Sequence, residues 1–294
     1  MATIPSMRLR RIENPRFSDH PGCASALDKP LLVGARRQAQ AACRYQGSNL
    51  VTKKAVQQMW AMLLHRSNDG AAVRDSRKVP GAHRWIAEGN RLLPGRQFID
   101  IIKLRINAQP TLERTSRGRG NDISCRAGCG APESLGHVLQ CCHRGHRTRV
   151  KRHDNLARYV CTRLGQLGWT VLWEPHFDLP GGVLKPDLVA FKGENTIILD
   201  AQVVGTRMAL SFHHHQKVAK YSSPGLQQAA RAGRTGTLQT TSITLNFRGV
   251  WSGESARDLI SLGLTQNDIK LLSVRCLQGG MRCFWSHRTM TTAV

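Results

Sequence analysis

The sequence has few acidic residues. Only 19 aspartates and glutamates accompany 43 lysines and arginines, so the formal net charge at pH 7 is +24. A positive charge of this size exceeds what solubility requires and indicates a polyanionic partner, usually nucleic acid. A basic surface without a specific partner is the alternative. Because the cations are spread along the chain, we predict phosphate contacts from both halves.

Long apolar runs and aromatic residues are also scarce. No apolar stretch reaches the roughly 18 residues of a membrane-spanning helix, and the start of the chain lacks the pattern of a secretory leader. We therefore expect an intracellular protein without a membrane span. Aromatic residues make up 5%, but a hydrophobic content of 40% supports a globular core. In a reducing compartment, the nine cysteines are more often metal ligands or buried thiols than disulfides.

Changes in composition divide the chain into four regions. They are a basic, aperiodic segment that we expect to be poorly ordered, a helical linker region, a cysteine and histidine cluster, and a final domain, at 1–48, 49–122, 123–147 and 148–294. Apolar periodicity predicts linker helices at 49–64 and 98–108. The basic, glycine-containing stretch TSRGRGND at 115–122 marks the main boundary.

The final domain mixes helical and strand patterns. An amphipathic helix from about residue 148 precedes the strand TVLWEPHF, the turn DLPGG and a β-hairpin. The elements after the hairpin are a helix at 208–222, a loop rich in Gly, Gln and Ala, the strand SITLNFRGVW, and two short helices at about 254–262 and 266–277. Thr265 and Asp268 form a capping-box pattern at the second of these helices. This order predicts an α/β fold in which helices cover a mixed sheet.

Four soft metal ligands are spaced as C-x3-C-x7-H-x4-C. They are Cys125, Cys129, His137 and Cys142. A short loop can bring such residues to about 2.0–2.3 Å from one Zn²⁺ ion, and closed tetrahedral sites of this kind are structural. We therefore predict a zinc knuckle. The spacing leaves open which of Cys141, Cys142 and His146 fills the last position, and buried thiols without metal are the alternative.

Basic residues are interspersed with this cluster and follow it directly. A knuckle of this type can present cations to phosphates or to unstacked bases. The candidate nucleic-acid-binding residues are Arg126, Arg144, Arg147, Arg149, Lys151 and Arg152.

Two of the scarce aspartates flank the turn signal Gly-Glu-Asn between two strand-like runs, which predicts a β-hairpin. With a two-residue loop at Gly193 and Glu194, Asp187 lies opposite Asp200. With the loop one residue later, Asp187 lies opposite Gln202 instead. Directly opposed carboxylates repel each other, because their Cβ atoms are roughly 4.5–5.5 Å apart. A divalent cation removes this repulsion, so the first register predicts a magnesium site.

The same aspartates resemble the PD-(D/E)xK pattern of a large nuclease superfamily. Pro186-Asp187 and Asp200 match the pattern, whereas Gln202 stands where the pattern has lysine. A lysine can instead reach the site from the next helix, on which one face carries His213, Lys217, Lys220 and Tyr221. The histidine run 213–215 is a weaker metal candidate, because three successive helical residues point in three directions.

Several motifs, in order, resemble the carboxy-terminal region of the R-two class of retrotransposons, which lack long terminal repeats and insert into ribosomal RNA genes. These motifs include LLPGRQFIDIIKLRINAQPTLERTSRGR, CRAGCGAPESLGHVLQCC, RVKRHDN, WEPHFDLPGGVLKPDLVAF, ILDAQVVG and RGVWSGESARDLISLGL. The resemblance covers roughly residues 85–294. It implies a linker, a CCHC zinc knuckle and a restriction-like endonuclease that nicks target DNA to prime reverse transcription.

The resemblance also implies roles for individual residues. Asp187 and Asp200 are the expected magnesium ligands, and Lys217 is the expected catalytic lysine. The other residues expected in the same cleft are Lys220, Tyr221, His153, Asp154 and Glu174. The implied partners are DNA, with a ribosomal RNA gene as the implied target, and the element's own RNA, and the implied location is the nucleus.

The aromatic-x-Asp-Asp signature of a reverse transcriptase is absent from the sequence. We therefore expect that this chain lacks that domain and is a truncated copy, a fragment or a descendant with another use. Two functions follow from these patterns. One is an active, magnesium-dependent DNA endonuclease, and the other is an inactive, zinc-stabilised nucleic-acid-binding remnant.

Overall fold

The computed structural model describes residues 53–117 and 119–292. The chain divides into two units between Ser67 and Asn68. In the first unit, the described residues form helix α1, Lys53–Arg66, which covers most of the helix predicted from residue 49. The basic segment 1–48 lies outside the described residues, so its poor order stays a prediction.

Short helices form the part of the second unit that precedes the cysteine cluster. They are the 3-10 helices Ala71–Lys78, Pro80–His83 and Gly89–Arg91, and the α-helices α2 (Trp85–Glu88), α3 (Gly95–Arg105) and α4 (Leu112–Thr115). Helix α3 starts earlier than predicted, directly after Pro94, because proline is readily accommodated where a helix begins. It also ends earlier, before Asn107 adopts a left-handed φ of 60°.

The rest of the second unit contains the cluster and the predicted α/β domain. Its helices are α5 (Leu135–Gln140), the 3-10 helix His143–Gly145, α6 (His146–Gln166), α7 (Leu210–Lys220), α8 (Pro224–Arg231), α9 (Gly253–Ser261) and α10 (Gln266–Thr292). Its strands are β1 (Thr170–Trp173), β2 (Phe177–Leu179), β3 (Gly182–Leu184), β4 (Leu188–Lys192), β5 (Asn195–Val204) and β6 (Leu238–Asn246). Among the described residues, none of the helices has the length and hydropathy that crossing a bilayer requires.

A mixed sheet lies at the centre of this unit. Its strand order is β1-β4-β5-β6, and β2 and β3 form a separate two-stranded sheet. Strand β4 pairs antiparallel with both β1 and β5, whereas β5 and β6 are parallel. The α/β class and the mixed sheet predicted from the sequence are therefore confirmed.

Alternate residues of the central strands pack on opposite faces of the sheet. Leu188 and Ala190 join Leu156 of helix α6 in one buried cluster. Val189, which lies between them, joins a second cluster that contains Tyr221. The period of two in β4 therefore fixes which side of the sheet each neighbouring side chain faces.

Two predicted strand and loop assignments are wrong. The segment TVLWEPHF is two strands, β1 and β2, and between them Glu174 has a left-handed φ of 47°. The segment after Ser223, predicted as a loop, contains helix α8. Leu226 and Ala230 of that helix are buried, because they cover the second cluster of the sheet.

The final helix is longer than predicted. Helix α10 continues to Thr292 instead of ending near residue 277. Met281 and Phe284 extend its apolar stripe beyond Leu277 and stay buried. This continuous stripe is the physical reason why the helix does not end at 277.

One apolar cluster joins the three regions that the sequence separates in the second unit. Trp85 and Leu104 come from the linker region, and Val138 comes from the cysteine cluster. They pack together with Phe247 and Leu277 of the final domain. The cysteine cluster thus packs against the same hydrophobic core as the helices that precede and follow it in the sequence.

Candidate functional site

The hairpin brings the two aspartates together. Leu188 pairs with Leu199, and the same register places Asp187 opposite Asp200 one position further along. The pairing confirms the two-residue loop and excludes the register in which Asp187 lies opposite Gln202. Two carboxyl groups therefore meet, one from the residue just before β4 and one from within β5.

Asp200 is a buried acid, with only 4% of its surface exposed. Burial, together with the negative charge of Asp187, raises the pKa of the Asp200 carboxyl above its ordinary value. A buried pair of carboxylates is costly unless cations neutralise it. The structure supplies such cations from two helices.

Helix α7 supplies the first cation. Lys217 forms an ion pair with Asp200 through its Nζ atom. The Nζ of Lys220 instead lies 4.8 Å from the centre of the Tyr221 ring. Tyr221 is buried, and its hydroxyl donates to the carbonyl oxygen of Lys185 at 3.1 Å. Of the two candidate lysines on this helix, Lys217 is the one that contacts the carboxylate pair.

Helix α6 supplies the second cation. The Nε2 atom of His153 lies 3.1 Å from Asp187 Oδ2, and its Nδ1 atom lies 3.2 Å from Asp154 Oδ1. The contact with Asp187, opposed by burial, raises the pKa of His153 to about 9, so this ring is protonated at neutral pH. The backbone N–H of Ala201 also donates to Asp187 Oδ2, at 2.6 Å.

Glu174 lies beside the aspartate pair through its backbone. Its N–H donates to the carbonyl oxygen of Asp187 at 2.8 Å, and its carboxylate lies 2.5 Å from Lys185 Nζ. Lys185 was not among the residues predicted from the sequence. Its place two residues before Asp187 was the only signal for it.

Gln202, at the position where the nuclease pattern has lysine, has a structural role. Its side-chain amide donates to the carbonyl oxygen of His213 and to the hydroxyl of Thr244, each at 2.8 Å. These contacts tie β5 to helix α7 and to β6. The glutamine that replaces the lysine of the pattern therefore joins the helix that carries Lys217 to the sheet.

The three consecutive histidines of α7 face three different neighbours. The ring of His213 packs against Phe212, whereas His214 Nδ1 lies 2.9 Å from the hydroxyl of Ser242. His215 Nε2 lies 3.4 Å from the carboxylate of Glu254. His214, His215 and Glu254 form a group that could hold a metal ion, but His213 is not part of it.

The cysteine and histidine cluster brings four candidate metal ligands close together. One ligand atom from each of four residues lies within 4.8 Å of the others, and the residues are Cys125, Cys129, His137 and Cys142. The sulfurs of Cys129 and Cys142 are 3.6 Å apart, close to the roughly 3.7 Å edge of a tetrahedron with 2.3 Å zinc–sulfur bonds. These four residues could therefore hold a zinc ion.

The alternatives for the last position are placed differently. Cys141 is exposed, and His146 is exposed at the start of α6. Neither belongs to the group of four, which contains Cys142 instead. His143, which was not a candidate, lies near the site, with its Nδ1 atom 3.2 Å from Cys129 Sγ.

The unpaired atoms of this cluster also fit a metal ion. Among the described residues, the buried Nε2 atom of His137 has no hydrogen-bond partner. Burial raises the pKa of the Cys125 thiol to about 12 and also raises that of Cys142. A bound cation offsets this penalty, because zinc stabilises the thiolate form.

Two buried residues that the sequence analysis did not identify hold the cluster in place. Glu133 accepts from Arg126 Nε at 2.9 Å and from its Nη2 at 2.5 Å. His287 of α10 is fully buried, and its Nε2 atom lies 3.4 Å from Cys125 Sγ. An acid within the knuckle and a histidine from the far end of the chain therefore surround one candidate ligand.

The six predicted nucleic-acid-binding residues fall into two groups. Arg144, Arg147 and Lys151 are exposed. The other three are engaged within the protein: Arg126 with Glu133, Arg149 with the carbonyl oxygen of Cys142, and Arg152 with Leu139 and Gln140. Arg152 is only 3% exposed. The prediction that Arg152 binds a phosphate is therefore wrong. Its guanidinium lies inside the fold and donates to residues of the knuckle.

Comparison with known proteins gives relatives of one kind, although no family model matches the chain. The chain is 34% identical over 287 residues to the Retrovirus-related Pol polyprotein from type-2 retrotransposable element R2DM of Drosophila melanogaster, a match that spans 95% of this chain and 27% of that protein. It is 39% identical over 234 residues to the Pol polyprotein of an R2 element of Nasonia vitripennis, with 78% of this chain and 23% of that protein covered.

A third relative, the Pol polyprotein of an R2 element of Popillia japonica, is 28% identical over 285 residues, which are 95% of this chain and 58% of that protein. The chain spans about a quarter of the length of the first two relatives. Its homologues are thus R2 retrotransposon Pol polyproteins, matched over most of this chain.

Proposed function

We propose that this chain is a metal-dependent DNA endonuclease of an R2-class retrotransposon, with a PD-(D/E)xK nuclease core, that nicks target DNA to prime reverse transcription. The observation that supports this proposal is the convergence of two opposed carboxylates and two cations. Asp187 and Asp200 come from one hairpin, and His153 and Lys217 come from helices on either side of it in the sequence.

The carboxylate pair suits magnesium, which binds carboxylate oxygen and completes its shell with water and substrate phosphate. Asp187 and Asp200 would hold it, and it would supply activated water and charge neutralisation at the scissile phosphate. Lys217 stabilises negative charge that develops on the phosphoryl oxygens. His153 orients Asp187 through its Nε2 atom, and Tyr221 supports the helix end that carries Lys217.

The proposal includes nucleic-acid contacts outside the cutting site. The zinc knuckle presents Arg144 and Arg147 to solvent, where they can neutralise phosphates. DNA is the substrate, with ribosomal RNA genes as the target and the element's own RNA as a further partner. Such a protein works in the nucleus, where chromosomal DNA lies.

An inactive nucleic-acid-binding protein is the second candidate. The ion pair between Lys217 and Asp200 favours it, because the lysine already neutralises this carboxylate without a metal. Gln202 adds to this case, since its amide is engaged between elements of the fold.

Plasmid nicking separates the two candidates. Purified protein is incubated with supercoiled plasmid that carries ribosomal gene sequence, with magnesium, with manganese, or with neither. The endonuclease predicts nicked circles only with metal. A protein that binds this plasmid and never nicks it under any of these conditions would leave the inactive binding protein as the function.

A further inference from the structure

A solvent-facing cleft lies between helices α6 and α10, outside the carboxylate site. The residues that line it include Thr148, Lys151, Asp154, Asn155, Arg158 and Arg282. Its walls are two helices that pack against each other. Arg158 and Arg282 were not among the candidates from the sequence.

The cleft carries uncompensated positive charge. Lys151, Arg158 and Arg282 are exposed, and within the described part of the chain none of them forms an ion pair with a carboxylate. Of the described residues that line the cleft, only Asp154 is acidic, and one of its oxygens lies 3.2 Å from His153 Nδ1. Three converging cations repel one another, and an anion placed between them relieves that repulsion.

Helix geometry explains why these cations converge. Lys151 and Arg158 are seven residues apart, two turns along α6, and therefore share one face. Arg152 is turned inward and passes beside Gly279 of α10, where an added Cβ would lie 2.5 Å from its Cγ atom. The glycine lets the two helices approach closely, which brings Arg282 to the same cleft as the α6 cations.

A chain of side-chain contacts connects the cleft to the carboxylate pair. Asp154 lines the cleft and contacts the Nδ1 atom of His153. The Nε2 atom of the same ring contacts Asp187. Arg158 lies 5.5 Å from the centre of the Trp173 ring, which is 38% exposed. A strand of nucleic acid that follows this face of α6 therefore passes beside the proposed cutting site.

We propose that this cleft binds backbone phosphates of the DNA that is cut at Asp187 and Asp200, an inference that rests on the proposed function. The guanidinium groups of Arg158 and Arg282 provide paired N–H donors that match phosphate oxygens. The side-chain amide of Asn155 adds a neutral donor of the kind that contacts phosphates. Sequence-independent backbone binding suits this set of donors.

Salt dependence of DNA binding tests the proposal. Affinity for a duplex oligonucleotide is measured over a series of salt concentrations, without magnesium so that no strand is cut. The double variant Arg158→Ala/Arg282→Ala is expected to make the fall of log affinity with log salt shallower by about 1.8, at about 0.9 per lost phosphate contact. Lys151→Gln alone should make it shallower by about 0.9, and Arg158→Lys/Arg282→Lys should keep most of its steepness.

The matched control removes two exposed arginines that lie elsewhere in the second unit, Arg96 of α3 and Arg257 of α9. An unchanged slope for Arg158→Ala/Arg282→Ala, or an equal loss in Arg96→Ala/Arg257→Ala, overturns the proposal. A loss of binding to RNA but not to DNA also overturns it. A wild-type protein that never nicks DNA would refute the endonuclease. The salt dependence would still test whether the cleft binds phosphates, because binding is measured without cutting.

Discussion

At the scale of single residues, the main feature of the site is that two acidic side chains lie close together in a largely buried place. Asp200 is almost fully enclosed, and its neighbour across the strand pair, Asp187, is also acidic. Lys217 and His153 each neutralise one of the two carboxylates. The turn signal predicted the hairpin but left two registers open, and the strand pairing selects the one in which the aspartates meet. It could not predict that Gln202 joins β5 to α7, because that contact depends on the packing of the helix.

The pH dependence of stability tests the contact between His153 and Asp187. This contact raises the pKa of His153 from 6.5 to about 9, so the stabilisation is fully present below about pH 6.5 and is lost as the pH rises through about 9. The difference in melting temperature between wild type and His153→Gln should therefore shrink over this range in magnesium-free buffer. Exposed His146→Gln is the control. A difference that stays constant with pH would contradict the contact.

At the scale of helices and strands, local signals predicted more than long-range ones. The capping box at the start of α10 is confirmed, since Thr265 and Asp268 exchange hydrogen bonds. The predicted helix ended near residue 277, just before Gly279 and Gly280, because glycine often ends helices. In the fold Gly279 is needed for close approach to Arg152, a contact between residues far apart in the chain.

Substitution of Gly279 tests this close approach. Alanine is a better helix former than glycine by about 1 kcal/mol, but its Cβ would lie 2.5 Å from Arg152 Cγ. We expect Gly279→Ala to lower the free energy of unfolding in urea by about 1–3 kcal/mol, because overpacking outweighs helix propensity. Gly165→Ala in α6 is the control, since nothing lies within 4 Å of the added atom, and it should not destabilise. Equal stability of the two variants would refute the packing account.

At the scale of the whole second unit, the cysteine cluster is part of a common core. Its Leu135 and Leu139 pack with residues of the linker region and of α10, and His287 reaches it from near the end of that helix. The spacing of the ligands was readable from sequence because they are close in the chain. The role of His287 could not be predicted from the sequence, because only tertiary packing brings it to the knuckle. The role of Glu133 was not predicted either, since it depends on the contact with Arg126.

Zinc content tests the cluster and its link to the core. Purified protein should contain about one zinc per chain, and Cys129→Ser should lose it, because binding to so small a loop is coupled to folding. The melting temperature of the second unit should fall with it, since the knuckle shares the apolar cluster. Cys141→Ser, at an exposed position, is the control and should keep its zinc. Freshly prepared wild-type protein without zinc would rule out the knuckle.

The most direct test of the central claim is the magnesium-dependent nicking rate of carboxylate variants, measured together with their DNA affinity. The account predicts that Asp187→Asn and Asp200→Asn each abolish nicking while DNA binding is equal or tighter, since a negative charge near phosphate is removed. Lys217→Met should lower the rate, and Asp178→Asn, at an exposed position on β2, should leave it unchanged. Nicking that persists in Asp187→Asn or Asp200→Asn would contradict the claim that these two carboxylates carry the reaction.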